Sequence, residues 1–380
     1  MLNAINTQPF YVKLTCSLLS ILLLGWLAVV GQTILIPLIL GILISILLVP
    51  FCNIFERYLF FPRVLSSILT TILFFGLISG IFYVIIIQLV DVSEEWPAFQ
   101  KQIIHLAEDL QRWISKNYGI SSRKQLQYVN DNISKTFNIG TVVIERVLDS
   151  LTRYSVLIVF TFLYTLFTLI YRRHLVRFLL YIFTERNHAS ILSILSTAQR
   201  MVKQYLIGLI FQILIVFTIT FIALNTLGVK YSFLLALVTG IFNIIPYVGI
   251  IISLSIASLL TFATSTESNL FLVLLTYIIV HAIDANIVMP KIVGSKVKIN
   301  SLIVIIGLVI GEMLWGIMGM FLSIPLLAMS KIIFDHIPEL KPWGYLFGEE
   351  KSERLNNDIE KYFVTRPKII KRKKKQNSEQ

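Results

Sequence analysis

Residues 232–264 read SFLLALVTGIFNIIPYVGIIISLSIASLLTFAT, 33 positions without a formal charge and with Pro246 near the middle. As one straight helix this run would be about 50 Å long, against a bilayer hydrocarbon core of about 30 Å. Proline lacks the backbone donor and clashes with the preceding turn, so the helix is expected to break at Pro246. A second run, residues 300–332, reads NSLIVIIGLVIGEMLWGIMGMFLSIPLLAMSKI and clusters Gly307, Gly311, Gly316 and Gly319 ahead of Pro325. Both runs are too long to cross once, and both are expected to double back as broken helical hairpins.

Working outward, six ordinary apolar runs surround them, at residues 14–31, 34–51, 64–90, 154–171, 206–228 and 270–289. Each reaches the roughly 20 residues that a spanning helix needs. The 380 residues are 56% hydrophobic and only 14% charged, and the mean hydropathy is +0.80. The fold expected is therefore an all-α, polytopic membrane protein. A soluble enzyme is excluded, as is an outer-membrane barrel, whose strands alternate apolar and polar over about 10 residues. Lys13 ahead of the first run resembles a signal peptide, yet a second apolar run follows at once without a small-residue cleavage site, so it is read as the first span.

Loop charge orients the spans. Residues 172–203 carry Arg172, Arg173, Arg177, Arg186, Arg200 and Lys203 against Glu185 alone, and Lys291, Lys296 and Lys298 follow Met289 with no acid among them. Both segments are expected in the cytoplasm as loops. Only if the first long run counts as two passes do they lie on one face, and the lysine-rich tail demands the same of the second run. Lys13, Arg57 and Arg63 then also fall inside, and residues 91–153 outside. That stretch repeats apolar positions at helical spacing (Phe99, Ile103, Leu106, Leu110, Trp113, then Leu126, Val129, Ile133, Phe137), as amphipathic helices do. The expected organisation is spans in 1–90, an extracytoplasmic helical insert in 91–153, a transport region in 154–332 with hairpins at 232–264 and 300–332, and a cytoplasmic basic tail in 333–380.

Backbone groups freed at a break inside the membrane must face protein or a water-filled cavity. The break at Pro246, with Asn243, Tyr247 and Gly249 around it, is thus either a solute or ion site or a tight structural turn. Two ionisable residues stand inside apolar segments, Asp284 in VHAIDANIVMP and Glu312 in the second hairpin. A carboxylate exposed to lipid costs several kcal/mol, so such groups are functional candidates. For Asp284, the residues His281, Asn286 and Asn243 are available as companions. Glu312 is the weaker candidate, since a hairpin tip lies near water, and His281 by itself reads as a satisfied interior histidine. Glycines four apart, Gly307 with Gly311 and Gly76 with Gly80, are expected to let helices approach closely.

There is no nucleotide-binding G-x-x-x-x-G-K-[ST] loop and no H-E-x-x-H zinc motif, and the only cysteines, Cys16 and Cys52, lie in apolar runs. No cofactor, no resident metal and no catalytic residue are expected, and the chain is not read as an enzyme. The net charge of +12 gathers in loops and tail as an orientation signal rather than as a nucleic-acid surface. Seven of the ten residues 366–375 are basic, a pattern that attracts anionic lipid headgroups.

The stretches QYLIG from Gln204, GVKYSFLLALVTGIFNIIPYVG, and NIVMPKIVGSKVKINSLIVIIGLVIGEMLWGIMGMFLSIPL resemble the AI-2E family of bacterial transporters, also called the autoinducer-2 exporter or PerM-like family. The resemblance covers nearly the whole arrangement, and its specific motifs lie within residues 204–326. Carried onto this chain, the P-Y-hydrophobic-G element is Pro246, Tyr247 and Gly249. The N-x-x-x-P-K-x-x-G element is Asn286, Pro290, Lys291 and Gly294, and the glycines before the last proline are Gly316 and Gly319 with Pro325. Ser301, Glu312 and Ile250 depart from the family pattern. The resemblance implies an oligomeric protein of the bacterial inner membrane that moves a small polar solute, with Na+ or H+ exchange known for some members, and without ATP hydrolysis. The binding region expected comprises Asp284, Asn286, Asn243, Pro246, Tyr247, Gly249 and Glu312. Pro290, Gly294, Gly311, Gly316, Gly319 and Pro325 are expected to shape the hairpins.

Overall fold

The computed structural model describes residues 9–94, 112, 116–117, 139–245, 248–264, 267–293 and 299–349. Its helices are α1 (Phe10–Val30), α2 (Gln32–Tyr58), α3 (Arg63–Glu94), α4 (Ile139–Ile182), α5 (His188–Thr226), α6 (Ser232–Phe242), α7 (Val248–Thr264), α8 (Glu267–Ile283), α9 (Ser301–His336) and α10 (Lys341–Phe347). A π helix, Asp284–Val293, continues α8 without a gap. Among the described residues, seven helical segments are long and apolar enough to cross a membrane. The chain is a multi-pass, all-α membrane protein. Helices suit this solvent because each satisfies its own backbone groups where no water is present to do so.

The second long run reverses at Gly316, whose φ of 60° and ψ of −141° belong to a region that only glycine adopts readily. Ser323 Oγ reaches the carbonyl of Gly307 at 2.7 Å and shares its proton with the carbonyl of Gly319. In a straight helix, residues 16 apart would be separated by about 24 Å. Residues 301–315 and 317–336 therefore run antiparallel, with Gly311 against Gly319 so closely that a Cβ on Gly319 would stand 1.9 Å from the Gly311 carbonyl oxygen. The reversal is set by Gly316, while Pro325 lies buried within the second arm. The arm ends are tied by α10, whose Phe347 carbonyl accepts from the Asn300 amide at 2.9 Å.

The first long run is interrupted after Phe242, and α6 packs on α7. Gly249 makes this possible, since a Cβ there would lie 2.0 Å from the Phe242 carbonyl oxygen. With 11 residues, α6 is only about 17 Å long, half of a bilayer core.

Helix α5 is the hub. It packs against α2, α6, α8, the π helix and α9, and its Val202, Tyr205, Leu206 and Leu209 join Leu43 and Leu47 of α2 and Leu322 of α9 in the main buried cluster. Helices α2 and α4 pack tightly at Gly41, where a Cβ would fall 2.7 Å from the Cβ of Tyr164. Farther along the same pair, Arg172 meets Glu56 at 2.6 Å. Gly41→Val is expected to cost about 1–3 kcal/mol through overpacking, read as a lower thermal unfolding temperature in detergent. Gly25→Val on α1, where nothing lies within 4 Å, provides the unchanged control.

Two expectations need correction. The basic stretch 172–203 is not a loop: it completes α4 and begins α5, with the reversal confined to residues 183–187. Arg173, Arg177 and Arg200 stay exposed on the helix surface, so their charge can remain hydrated while the backbone hydrogen bonds continue. The His188 ring nitrogen lies 2.9 Å from the Leu180 carbonyl and 3.1 Å from that of Phe183, helping to satisfy the end of α4. Second, Gly76 and Gly80 mediate no close approach, because a Cβ at either would meet nothing within 4 Å. Helix α4 is continuous across residues 153 and 154, and the part of it long and apolar enough to cross a membrane begins at Ser155. Apart from residue 112, the two amphipathic helices expected at 99–113 and 126–137 lie outside the described residues, as does the basic stretch 366–375.

Candidate carboxylate site

Asp284 stands where α8 passes into the π helix, and only 6% of it is exposed. Gln212 on α5 points its Nε2 at both carboxylate oxygens, 3.1 Å from Oδ1 and 3.3 Å from Oδ2. Asn243, the residue that ends α6, donates its Nδ2 to Oδ2 at 2.9 Å. Side chains from two other elements thus converge on one carboxyl group. Gln212 is itself buried.

A cavity of about 110 Å³ opens beside this group. Tyr205 and Leu209 of α5, Ile244 and Ile250 of the first hairpin, His281, Ala285 and Met289 of the α8–π segment, and Ile324 of α9 also line it. Both long runs contribute to the wall, one through its tip and the other through the residue before Pro325. Among the described residues, the titratable side chains on the lining are Tyr205, His281 and Asp284, with no lysine or arginine. The hydrogen bonds to the carboxylate from described residues come from the amides of Gln212 and Asn243. Such a site offers a favourable place to a cation or a hydroxyl donor, because a buried anion is costly unless it is paired. Among the described residues, no group of three His, Cys, Asp or Glu side chains is placed to hold a metal ion.

One further contact fixes the geometry. Thr239 gives its hydroxyl proton to the Leu235 carbonyl at 2.6 Å, so the 2.7 Å contact with Tyr277 is donated by the Tyr277 hydroxyl. This bond ties α6 to α8 one turn before Asn243 and two turns before Asp284. It thereby holds the two partners in register.

Of the residues singled out in the sequence, Asp284, Asn243 and His281 come together. His281 is not the satisfied interior histidine expected, since its Nδ1 is buried without a hydrogen-bond partner. Asn286 does not join them: it is exposed, and its Nδ2 donates to the Ala282 carbonyl of its own helix at 2.8 Å. Two residues on from Asp284, it points to another side of the helix. Glu312 is exposed on the second hairpin and does not line the cavity. Gly249, Gly311, Gly316, Gly319 and Pro325 form the hairpins rather than the lining, and Pro290 belongs to the π helix. Pro246, Tyr247 and Gly294 lie outside the described residues.

Sequence reasoning passed over Gln212. A signal was present, because Gln212 is the lone amide in LIGLIFQILIVF, and a buried amide, like a buried charge, needs a partner. Tyr205 and Ile324 carried no comparable mark. The family model for "AI-2E family transporter" matches residues 17–339.

This chain belongs to the AI-2E family.

Relatives within reach of direct comparison agree with that assignment. The chain is 28% identical over 327 residues to "Putative transport protein YrrI" of Bacillus subtilis, covering 83% of this chain and 89% of the relative. It is 26% identical over 319 residues to "Putative transport protein YueF" of the same organism, covering 81% and 85%. Over a shorter stretch of 114 residues it is 32% identical to the "AI-2 transport protein TqsA" of Escherichia coli, covering 30% of this chain and 33% of that one. As an AI-2E family member it is a transport protein by kinship, and the matched region contains both hairpins and Asp284.

Proposed function

We propose that the protein is a secondary transporter that exports a small polar solute across a bacterial inner membrane, with Asp284 as its coupling and solute-binding group. The single observation that carries this reading is the buried carboxylate held by the amides of Gln212 and Asn243 at the edge of a cavity. In transporters, broken hydrophobic segments frame such midplane sites. Gln212 and Asn243 orient the carboxyl group and turn toward the solute when it enters, and the unpartnered His281 Nδ1 supplies a further hydrogen-bonding atom. Access then alternates by rocking of the two hairpins about α5.

Autoinducer-2, the solute in the name of TqsA, is the first solute to try. Exchange of Na+ or another cation for H+ is the second reading, favoured by a buried carboxylate whose partners among the described residues are the amides of Gln212 and Asn243. Both termini are placed in the cytoplasm by loop charge, the tail on anionic lipid, and the working unit is a homo-oligomer.

Flux of autoinducer-2 and of radioactive sodium into proteoliposomes, with and without an imposed proton gradient, tests the reading. Solute movement into vesicles containing the protein, above that of empty vesicles, is the expected result. Sodium uptake driven by protons would select the antiporter. No flux under any condition would leave a membrane scaffold and overturn transport.

A further inference from the structure

We propose that a hydroxyl-lined, hydrated path for protons runs from Asp284 along the seam of α5, α6, α7 and α8 to the membrane face where residues 227–231 connect α5 to α6. This rests on the reading of Asp284 as the coupling group. The starting observation is that, of four buried hydroxyls with no hydrogen-bond partner among the described residues, three gather on adjoining helices, Thr220 on α5 and Ser258 and Thr261 on α7, while the fourth, Ser66, stands apart on α3. Thr220 and Thr261 are each 0% exposed.

A hydroxyl on a membrane helix ordinarily returns its proton to a carbonyl of its own preceding turn. Neighbours on these same helices do so, with Thr218 bonded to Leu214, Ser253 to Gly249 and Ser255 to Ile251, each at 2.7–2.8 Å. Thr220, Ser258 and Thr261 forgo that bond although they are buried. A polar group in that position calls for an outside partner such as water or an ion. Hydroxyls both donate and accept, which suits water and a passing proton better than a metal cation.

Their placement follows the helices away from the carboxylate. Thr220 lies eight residues beyond Gln212 on the buried face of α5 (Gln212, Val216, Thr220, Leu224), about 12 Å along the axis. Thr239 is about 6 Å from Asn243 along α6, and its bonded partner Tyr277 about 10 Å from Asp284 along α8. On α7 the buried positions Gly249, Ser253, Ala257 and Thr261 again fall four apart, the last about 18 Å from the hairpin turn. Polar oxygens therefore occur at successive heights on four adjoining helices. Between them sits one apolar cluster containing Leu224, Leu235, Ala257 and Val273. Apolar narrowings of this kind gate by shedding water. Each oxygen along the file takes one proton and passes another on, so the Asp284 carboxylate becomes the neutral acid and the aqueous face loses one proton.

Two measurements on the full chain test this. X-ray hydroxyl-radical footprinting in detergent marks side chains beside bound water, and the expected result is modification of Tyr277, which is only 1% exposed. Thr220→Val with Thr261→Val, which keeps side-chain shape, is expected to lower that modification at least threefold. In proteoliposomes with a trapped pH-sensitive dye, the same double variant is expected to slow proton uptake about tenfold, whereas Ser255→Ala leaves it unchanged. An unmodified Tyr277 in the parent protein overturns the path. So does uptake that falls with Asp284→Asn but not with the double variant. Uptake indifferent to Asp284→Asn would instead remove the coupling role of Asp284, and the footprint alone would then decide for or against the path.

Discussion

Asp284→Asn is expected to leave the protein folded and to abolish the dependence of flux on an imposed proton or sodium gradient. The carboxylate accepts three amide contacts, from Gln212 to each oxygen and from Asn243 to one. An asparagine offers one acceptor oxygen and adds an amino group facing the donors, so at least one of those contacts is lost. Hydrogen bonds to a charged group contribute about 1.5–3 kcal/mol each, which corresponds to about 10–100-fold in whatever equilibrium they support. More decisively, the amide neither carries charge nor takes up a proton. Gradient-driven flux should fall to the level of empty vesicles, while circular dichroism and elution volume stay those of the parent. Coupling that survives the substitution would remove Asp284 from the mechanism.

Gly319→Val is expected to have the largest structural effect of any single change in the second hairpin. At this crossing a Cβ would meet the Gly311 carbonyl oxygen at 1.9 Å, and the obstacle is backbone rather than a movable side chain. The arms must separate, which breaks the Ser323 hydroxyl bond to Gly307 and shifts Ile324 at the cavity wall. Overpacking of this kind costs about 1–3 kcal/mol and sometimes more. Thermal unfolding in detergent should move markedly downward, and flux should fall with it. Gly76→Val should change neither, since nothing lies within 4 Å of that position. Equal effects at Gly319 and Gly76 would mean that the two arms do not touch.

These contrasts show how far local chemistry reaches. Gly307 with Gly311 and Gly76 with Gly80 look alike as sequence, yet one pair sits at a packed turn and the other meets no neighbour. Asn243 and Asn286 looked equally suited to accompany Asp284, and only Asn243 reaches it. The nearer residue in sequence is the one that fails, because two steps along the helical segment turn a side chain to another side. Gln212 was passed over although it is 72 positions from Asp284 and touches both oxygens. Its lone polarity in an apolar run marked it as a group in need of a partner, but not which partner.

The amino-acid order by itself determined that this is a helical membrane protein with two interrupted segments and a functional suspect at Asp284. Those properties follow from costs each residue carries wherever it is placed: an apolar side chain in water, a charge in lipid, a helix too long for the bilayer. Tertiary structure alone decided which amides hold the carboxylate, which glycines touch, and that both hairpins wall one cavity. Partner choice depends on how helices are rotated and where they cross, a sum over many weak contacts that no single residue announces.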